Sequence, residues 1–397
     1  MITFEDIKSL KLSSFASSKK QKAYLLKYNE QYFEINARTA DFIYSLQQYN
    51  SPQNAIEAYL KAYPDKYTKD ELEKSISLLL KQLNTISQYK KTFWYKREIF
   101  SSKTIACLTP FLIRLFHPLL MITVIGVTSF LDIKFFLQSE NLYQLVDNMS
   151  LYVLGILLLF LIGSSLFHEL GHATACQHFG IDHGGIGFGI YLNFPVFYTN
   201  VSKIWELNRS QRCIVNIAGI YFQIYLLLFI LILFDFTNHN LLKYLILVMN
   251  LSFAITLNPF FKFDGYWLMT DITGVANLRQ RSNEIIIYLY NKLLRKPITS
   301  LPYLFCIQKK EKILIIIYTI LVNCFIGYYF CYLIPYLTVH FIDIFPNTIR
   351  QLIFDLSKGY TIDFNIIQQL FSQLLFFSLT LYFLYRTIQP LFKWKKR

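Results

Sequence analysis

Residues 151–180, LYVLGILLLFLIGSSLFHELGHATACQHFG, constrain the chain more than any other stretch. An apolar run from Leu151 to Phe167 passes without a break into His168-Glu169-Leu170-Gly171-His172. On a helix His168 and His172 stand at i and i+4, so both imidazoles share one face. That is the spacing at which two nitrogen ligands reach one divalent metal. Glu169, one residue on, can take a proton from an attacking water. Ionisable groups at the end of a segment long enough to cross a bilayer are costly there and are by default functional.

The rest of the chain fits a membrane protein. Of 397 residues 54% are hydrophobic and only 16% charged, too apolar for an ordinary soluble chain. The net charge of +14 could suggest nucleic acid. The basic residues instead cluster between apolar runs, so they set membrane topology and no nucleic-acid partner is expected. Six scattered cysteines without a CxxC pair argue for reduced apolar side chains rather than a disulfide framework. No signal peptide is expected, because the first twenty residues lack an apolar core.

Six spans of bilayer length are expected, at about residues 111–131, within the stretch 151–180, and at about 214–234, 241–261, 313–336 and 366–388. The expected fold is mainly α and polytopic, with a small winged-helix-like cytoplasmic domain in front. Lys and Arg gather after the even-numbered spans, at Lys203, Arg209 and Arg212, then between 279 and 312, then from Arg386 to Arg397. By the positive-inside rule both termini are cytoplasmic. His168 then lies about 26 Å along its helix, near the cytoplasmic face of a roughly 30 Å core.

Domain limits follow from composition. Residues 1–19 are polar and read as a flexible N-terminus. Residues 20–87 read as a hairpin around residues 28–31 followed by three helices, one opened by Ser51-Pro52 and one by the capping box Thr68 to Glu71. Residues 88–104 mix basic and aromatic side chains and read as an interface linker. Residues 105–397 form the membrane domain. Within it the Gly-rich, aromatic stretch 184–198 fits a β-hairpin at the membrane edge, where non-helical backbone needs protein or water to cover it.

Three carboxylates compete as a third metal ligand: Glu206, Asp264 and Asp271. Glu206, beside Trp205, reads more simply as an exposed interface charge. Pro259 before Asp264 and Gly265 after it suggest a helix break that turns Asp264 towards the second span. Asp271, one or two turns further on, can pair with Arg279 or Arg281. Asn193, Asn216 and Asn258 are candidates for holding substrate backbone or the oxyanion, with interhelical hydrogen bonding as their other use.

HELGH together with NPFFKFDGYW at residues 258–267 resembles the site-2 protease family of intramembrane zinc metalloproteases. The resemblance spans about residues 151–278. It implies His168, His172 and Asp264 as ligands of one Zn²⁺, with Glu169 as the catalytic base. The DGYWLMTD wording looks closer to the bacterial branch found with peptide-biosynthesis enzymes. Residues 20–87, with YLLKYNEQYFEINARTADFI and SPQNAIEAYL, resemble PqqD-like domains that recognise leader peptides. That implies a ribosomally made precursor peptide as partner, bound by strand addition at Tyr32, Phe33, Glu34 and Ile35, and alongside it a peptide-modifying enzyme and an exporter. The function implied is hydrolysis of a peptide bond near the cytoplasmic face. The alternative is a non-proteolytic membrane protein that binds a peptide for export or self-immunity, for which Glu169 would have no use.

Overall fold

The computed structural model describes residues 7–8, 10–15, 22–28, 31–49, 51–64, 66–87, 93–139, 151–191, 194–298, 301–359 and scattered positions between 366 and 381. The chain divides into two compact units, residues 1–315 and 316–397.

The first unit opens with an antiparallel sheet of order β1 (Lys11–Phe15), β2 (Ala23–Tyr28), β3 (Gln31–Asn36). Three helices follow: α1 (Ala37–Gln48), α2 (Pro52–Ala62) and α3 (Lys69–Ser87). Each start is fixed locally. The Asn36 side chain accepts from Thr39 N–H at 2.7 Å, and Ser51 from Asn54 N–H at 3.2 Å. Thr68 and Glu71 bond each other's backbone N–H groups reciprocally, at 3.0 and 3.3 Å, as a capping box does. Leu26, Phe42, Ile43, Leu46, Ile56 and Leu72 form the core.

The flexible N-terminus expected for residues 1–19 is corrected over part of its length. Lys11–Phe15 pairs with β2, Leu12 opposite Leu26, and Ile7 and Leu10 join the core. The Gln47 amide holds the carbonyls of Ile7 and Leu10 at 3.1 and 2.7 Å. Two apolar residues three apart are too short a pattern to announce this from sequence.

A second antiparallel sheet has the order β4 (Phe93–Phe100), β5 (Ile186–Tyr191), β6 (Phe194–Thr199). The expected hairpin is therefore two strands of three. The third comes from the expected linker, where Phe93–Phe100 pairs along β5 with two irregularities. Its charges mask the strand, and the register shifts spoil any clean alternation.

Among the described residues four helical stretches are long and apolar enough to cross a membrane: Pro118–Gln138, Tyr152–His178, Arg209–Thr237 and Lys309–Ser357. They mark a helical membrane protein, and they revise the expected spans. The first begins seven residues later than expected, because α4 (Ser102–Leu112) ends in a 3₁₀ turn at Ile113–Phe116 and Pro118 opens α5 (Pro118–Gln138). Proline lacks the N–H that a first turn leaves unpaired anyway. The second span is α6 (Leu151–His178) and the third α7 (Arg209–Thr237). The fourth, α8 (Asn240–Thr256), stops after 17 residues, about 25 Å of helix. Two short helices follow, α9 (Asp264–Thr273) and α10 (Leu278–Leu293).

The expected fifth span runs from within α11 (Lys309–Tyr328) through a π turn at Tyr329–Leu333 into the first turn of α12 (Ile334–Ser357). The π turn directly precedes the turn that holds Pro335. The expected sixth span falls mostly outside the described residues.

The centre of the first unit is α7. It packs against α5, α6, α8 and α9, with Val215, Ala218, Phe222, Leu227 and Leu231 all buried. Between α6 and α7 the contact is small on small: Gly171 faces the Ala218 carbonyl. In a bilayer, lipid tails are as apolar as side chains, so close backbone approach drives helix pairing.

Candidate metal centre

The two histidines stand where α6 presses most closely on α7. A Cβ added at Gly219 would lie 2.4–2.6 Å from three ring atoms of His168, so only glycine leaves room for that imidazole. Each ring is held by its outer nitrogen. His172 Nδ1 lies 2.7 Å from the main-chain carbonyl of Val215. His168 Nδ1 lies 3.1 Å from Gln223 Oε1, and the Gln223 amide N–H donates to Ser164 Oγ at 2.7 Å and towards its carbonyl.

These partners fix the tautomers. A carbonyl only accepts, so Nδ1 of His172 carries the proton. The Gln223 nitrogen faces the Ser164 carbonyl, so its oxygen faces His168, and that Nδ1 carries the proton too. Both Nε2 atoms therefore point inward with bare lone pairs, 3.1 Å apart. Outer hydrogen bonds of this kind orient metal-binding imidazoles and raise their basicity.

The third element comes from the break after α8. Its helix ends at Thr256, and Asp264 is the first residue of α9. The expected break is present, with Asp264 opening a new helix instead of lying on irregular backbone. A Cβ at Gly265 would strike the backbone of Leu257 at 2.0 Å, so glycine permits the chain to fold back there. Asp264 Oδ2 lies 2.9 Å from His168 Nε2 and 3.2 Å from His172 Nε2. That oxygen is buried and accepts no hydrogen bond.

Two imidazole nitrogens and one carboxylate oxygen thus converge on one point, a cluster that a divalent cation would satisfy. Their mutual separations of 2.9–3.2 Å approach the roughly 3.3 Å between ligands of a tetrahedral Zn²⁺ with bonds near 2.0–2.1 Å. Two imidazoles and one carboxylate are also the donor set of catalytic zinc. The residues fit the metal. Glu169, 9% exposed, offers a carboxylate oxygen within 4.8 Å of the histidine nitrogens. Thr199, at the end of β6, donates its hydroxyl to the Glu169 carbonyl at 3.0 Å.

The other expected residues are placed differently. Asn216 gives its amide N–H to Asp271 Oδ2 at 2.6 Å, so that donor is not turned towards a substrate. Asn258 uses its side-chain oxygen to accept from Phe260 N–H at 2.8 Å. Asn193 lies outside the described residues. Asp271 pairs with Arg212 at 2.5 Å, not with Arg279 or Arg281. Glu206 is exposed, as expected, and is also paired. It accepts from Tyr32 Oη at 2.7 Å and pairs with Lys27 at 3.4 Å, while Trp205 packs against the pair Ala23 and Leu25. Phe33 and Ile35 pack into the helical core of the N-terminal domain. Among the described strands β3 pairs only with β2, so strand addition there would run through main-chain groups. Sequence reasoning missed Gln223 and Ser164. Their signal was present: single polar side chains inside apolar runs need partners.

Over 148 residues the chain is 25% identical to a protein of Bacillus subtilis (strain 168) that bears the provisional name peptide zinc metalloprotease protein YydH. The chain is similar to a zinc metalloprotease. The match takes in 36% of this chain and 59% of the relative's length. No family model matches the chain, and no solved structure matches it. The likeness supports metalloprotease chemistry at the level of reaction class, and the donor set at His168, His172 and Asp264 agrees with zinc.

Proposed function

We propose that the chain is an intramembrane zinc endopeptidase of site-2 protease type, which hydrolyses a peptide bond near the cytoplasmic face of the cell membrane with both termini cytoplasmic. One observation carries the reading: a buried Asp264 oxygen 2.9 and 3.2 Å from the inner nitrogens of two imidazoles whose outer nitrogens are held by α7. His168, His172 and Asp264 would hold one Zn²⁺. When bound, zinc supplies a Lewis acid that polarises the scissile carbonyl and makes water acidic.

The chain's own groups do the rest. Glu169 takes a proton from the attacking water as its oxygen bonds to the carbonyl carbon. It returns that proton to the amine as the C–N bond breaks, giving one carboxyl and one amino terminus. A positioned general base typically supplies roughly 10²–10⁴-fold. The substrate class proposed is a ribosomally made, modified peptide, brought by residues 20–87. Support comes from the contact of that domain with the turn at Ser202–Glu206, just ahead of α7.

The test uses full-length protein in nanodiscs, zinc-loaded, incubated with a library of short precursor peptides, with new termini mapped by mass spectrometry. Cuts made by the wild type and absent with Glu169→Gln support the reading. Identical termini from the two proteins overturn it.

A further inference from the structure

The metal-facing end of α9 rests through Gly265 on the backbone of Leu257. Asp264 is its first helical residue, and the preceding Phe263 provides no side-chain cap. Two turns along, about 10 Å away by the helical rise, Asp271 faces α7. It lies 4% exposed and takes hydrogen bonds from Arg212, itself 1% exposed, and from the Asn216 amide. Both histidine tethers also belong to α7, through the Val215 carbonyl and the Gln223 side chain. So α7 is the common reference for all three ligands, twice through imidazole tethers and once through Asp271. Positions i and i+7 share a helix face, so a shift of Asp271 against α7 carries Asp264 with it.

We propose that Asp271, held by Arg212 and Asn216, is a positioning residue that sets the distance of Asp264 from the histidine pair. It touches neither metal nor substrate. The proposal rests on the zinc reading above, and its test separates the two.

Full-length protein is stripped of metal. Zinc affinity is then measured by chelator competition, and the visible absorption of the cobalt(II)-substituted protein reports the ligand set. For Asp271→Asn we expect zinc binding weakened by about ten- to a hundredfold, with a cobalt spectrum shifted towards that of Asp264→Asn. The exchange variant Asn216→Asp/Asp271→Asn keeps carboxylate and amide facing each other beside Arg212 and should recover most of the loss. If Asp271→Asn does not fold, Asp271→Glu is read in its place: it keeps the charge but lengthens the arm, and should also weaken zinc. Wild-type affinity and an unshifted cobalt spectrum in the folded variant overturn the proposal. A wild-type chain that takes up neither zinc nor cobalt overturns the zinc reading itself, and this inference with it.

Discussion

Gly219→Ala should disable the metal centre without harming the fold. A Cβ there would sit 2.4 Å from His168 Cε1, 2.5 Å from Nε2 and 2.6 Å from Nδ1. Neither side yields easily, since the methyl is fixed to a packed helix and the ring is rigid. The imidazole must withdraw by about 1 Å to reach ordinary contact. Metal–ligand distances tolerate about 0.2 Å, and withdrawal also strains the 3.1 Å bond to Gln223. A loss of zinc affinity of at least ten- to a hundredfold is expected. Helix propensity moves the other way, because alanine favours a helix over glycine by about 1 kcal/mol. The assay is zinc affinity by chelator competition beside thermal unfolding of the apo protein. Gly163→Ala, in the same α6 with nothing within 4 Å of its added Cβ, is the control. Wild-type affinity in Gly219→Ala would refute the packing argument.

Further expectations follow from the same geometry. Glu169→Gln should keep its zinc, measured by atomic absorption, and lose cleavage by roughly 10²–10⁴-fold; activity within a few-fold of wild type would remove Glu169 from the base role. Asp264→Asn should lose zinc from the purified protein, whereas full stoichiometry would show that the third ligand is elsewhere. Burial alone would raise the Glu206 carboxyl, but hydrogen bonds from Tyr32 and Lys27 outweigh it and hold it below its ordinary value. Its contribution to domain contact is therefore complete at neutral pH and lost as pH falls through that lowered value. Amide protection over residues 23–36, taken relative to the intrinsic exchange rate at each pH, should fall in acid and should be lower already at neutral pH in Glu206→Gln; identical protection in wild type and variant at neutral pH would contradict the contact.

The parts legible in the sequence are those with a local physical signature. HELGH declares itself because i, i+4 spacing is a property of one helix. The break before Asp264 was marked by Pro259 and Gly265, and the caps at Asn36, Ser51 and Thr68 were marked by residue type. What stayed hidden depends on contacts far apart in the chain. Asp271 is 59 residues from Arg212, so helical spacing offered Arg279 and Arg281 instead. Glu206 looks solvated until a strand 174 residues earlier supplies Tyr32. Strand β4 hid because the register shifts at Phe93/Tyr95 and Glu98/Phe100 destroy the period-2 pattern. The spans were misplaced at their ends, where a 3₁₀ turn and Pro118 decide the boundary and hydropathy does not.

The tether on His172 is a carbonyl of the main chain, and this gives the centre an uneven tolerance to mutation. No side-chain replacement at position 215 can delete that acceptor; a smaller residue there loosens packing and leaves the imidazole oriented. The Gln223 side chain, by contrast, can be removed by a single codon change. Drift should therefore be tolerated in the Val215 side chain and stop at Gly219 and Gln223, so a sampling of variants selected for activity should show position 215 varied among apolar residues while 219 and 223 stay fixed.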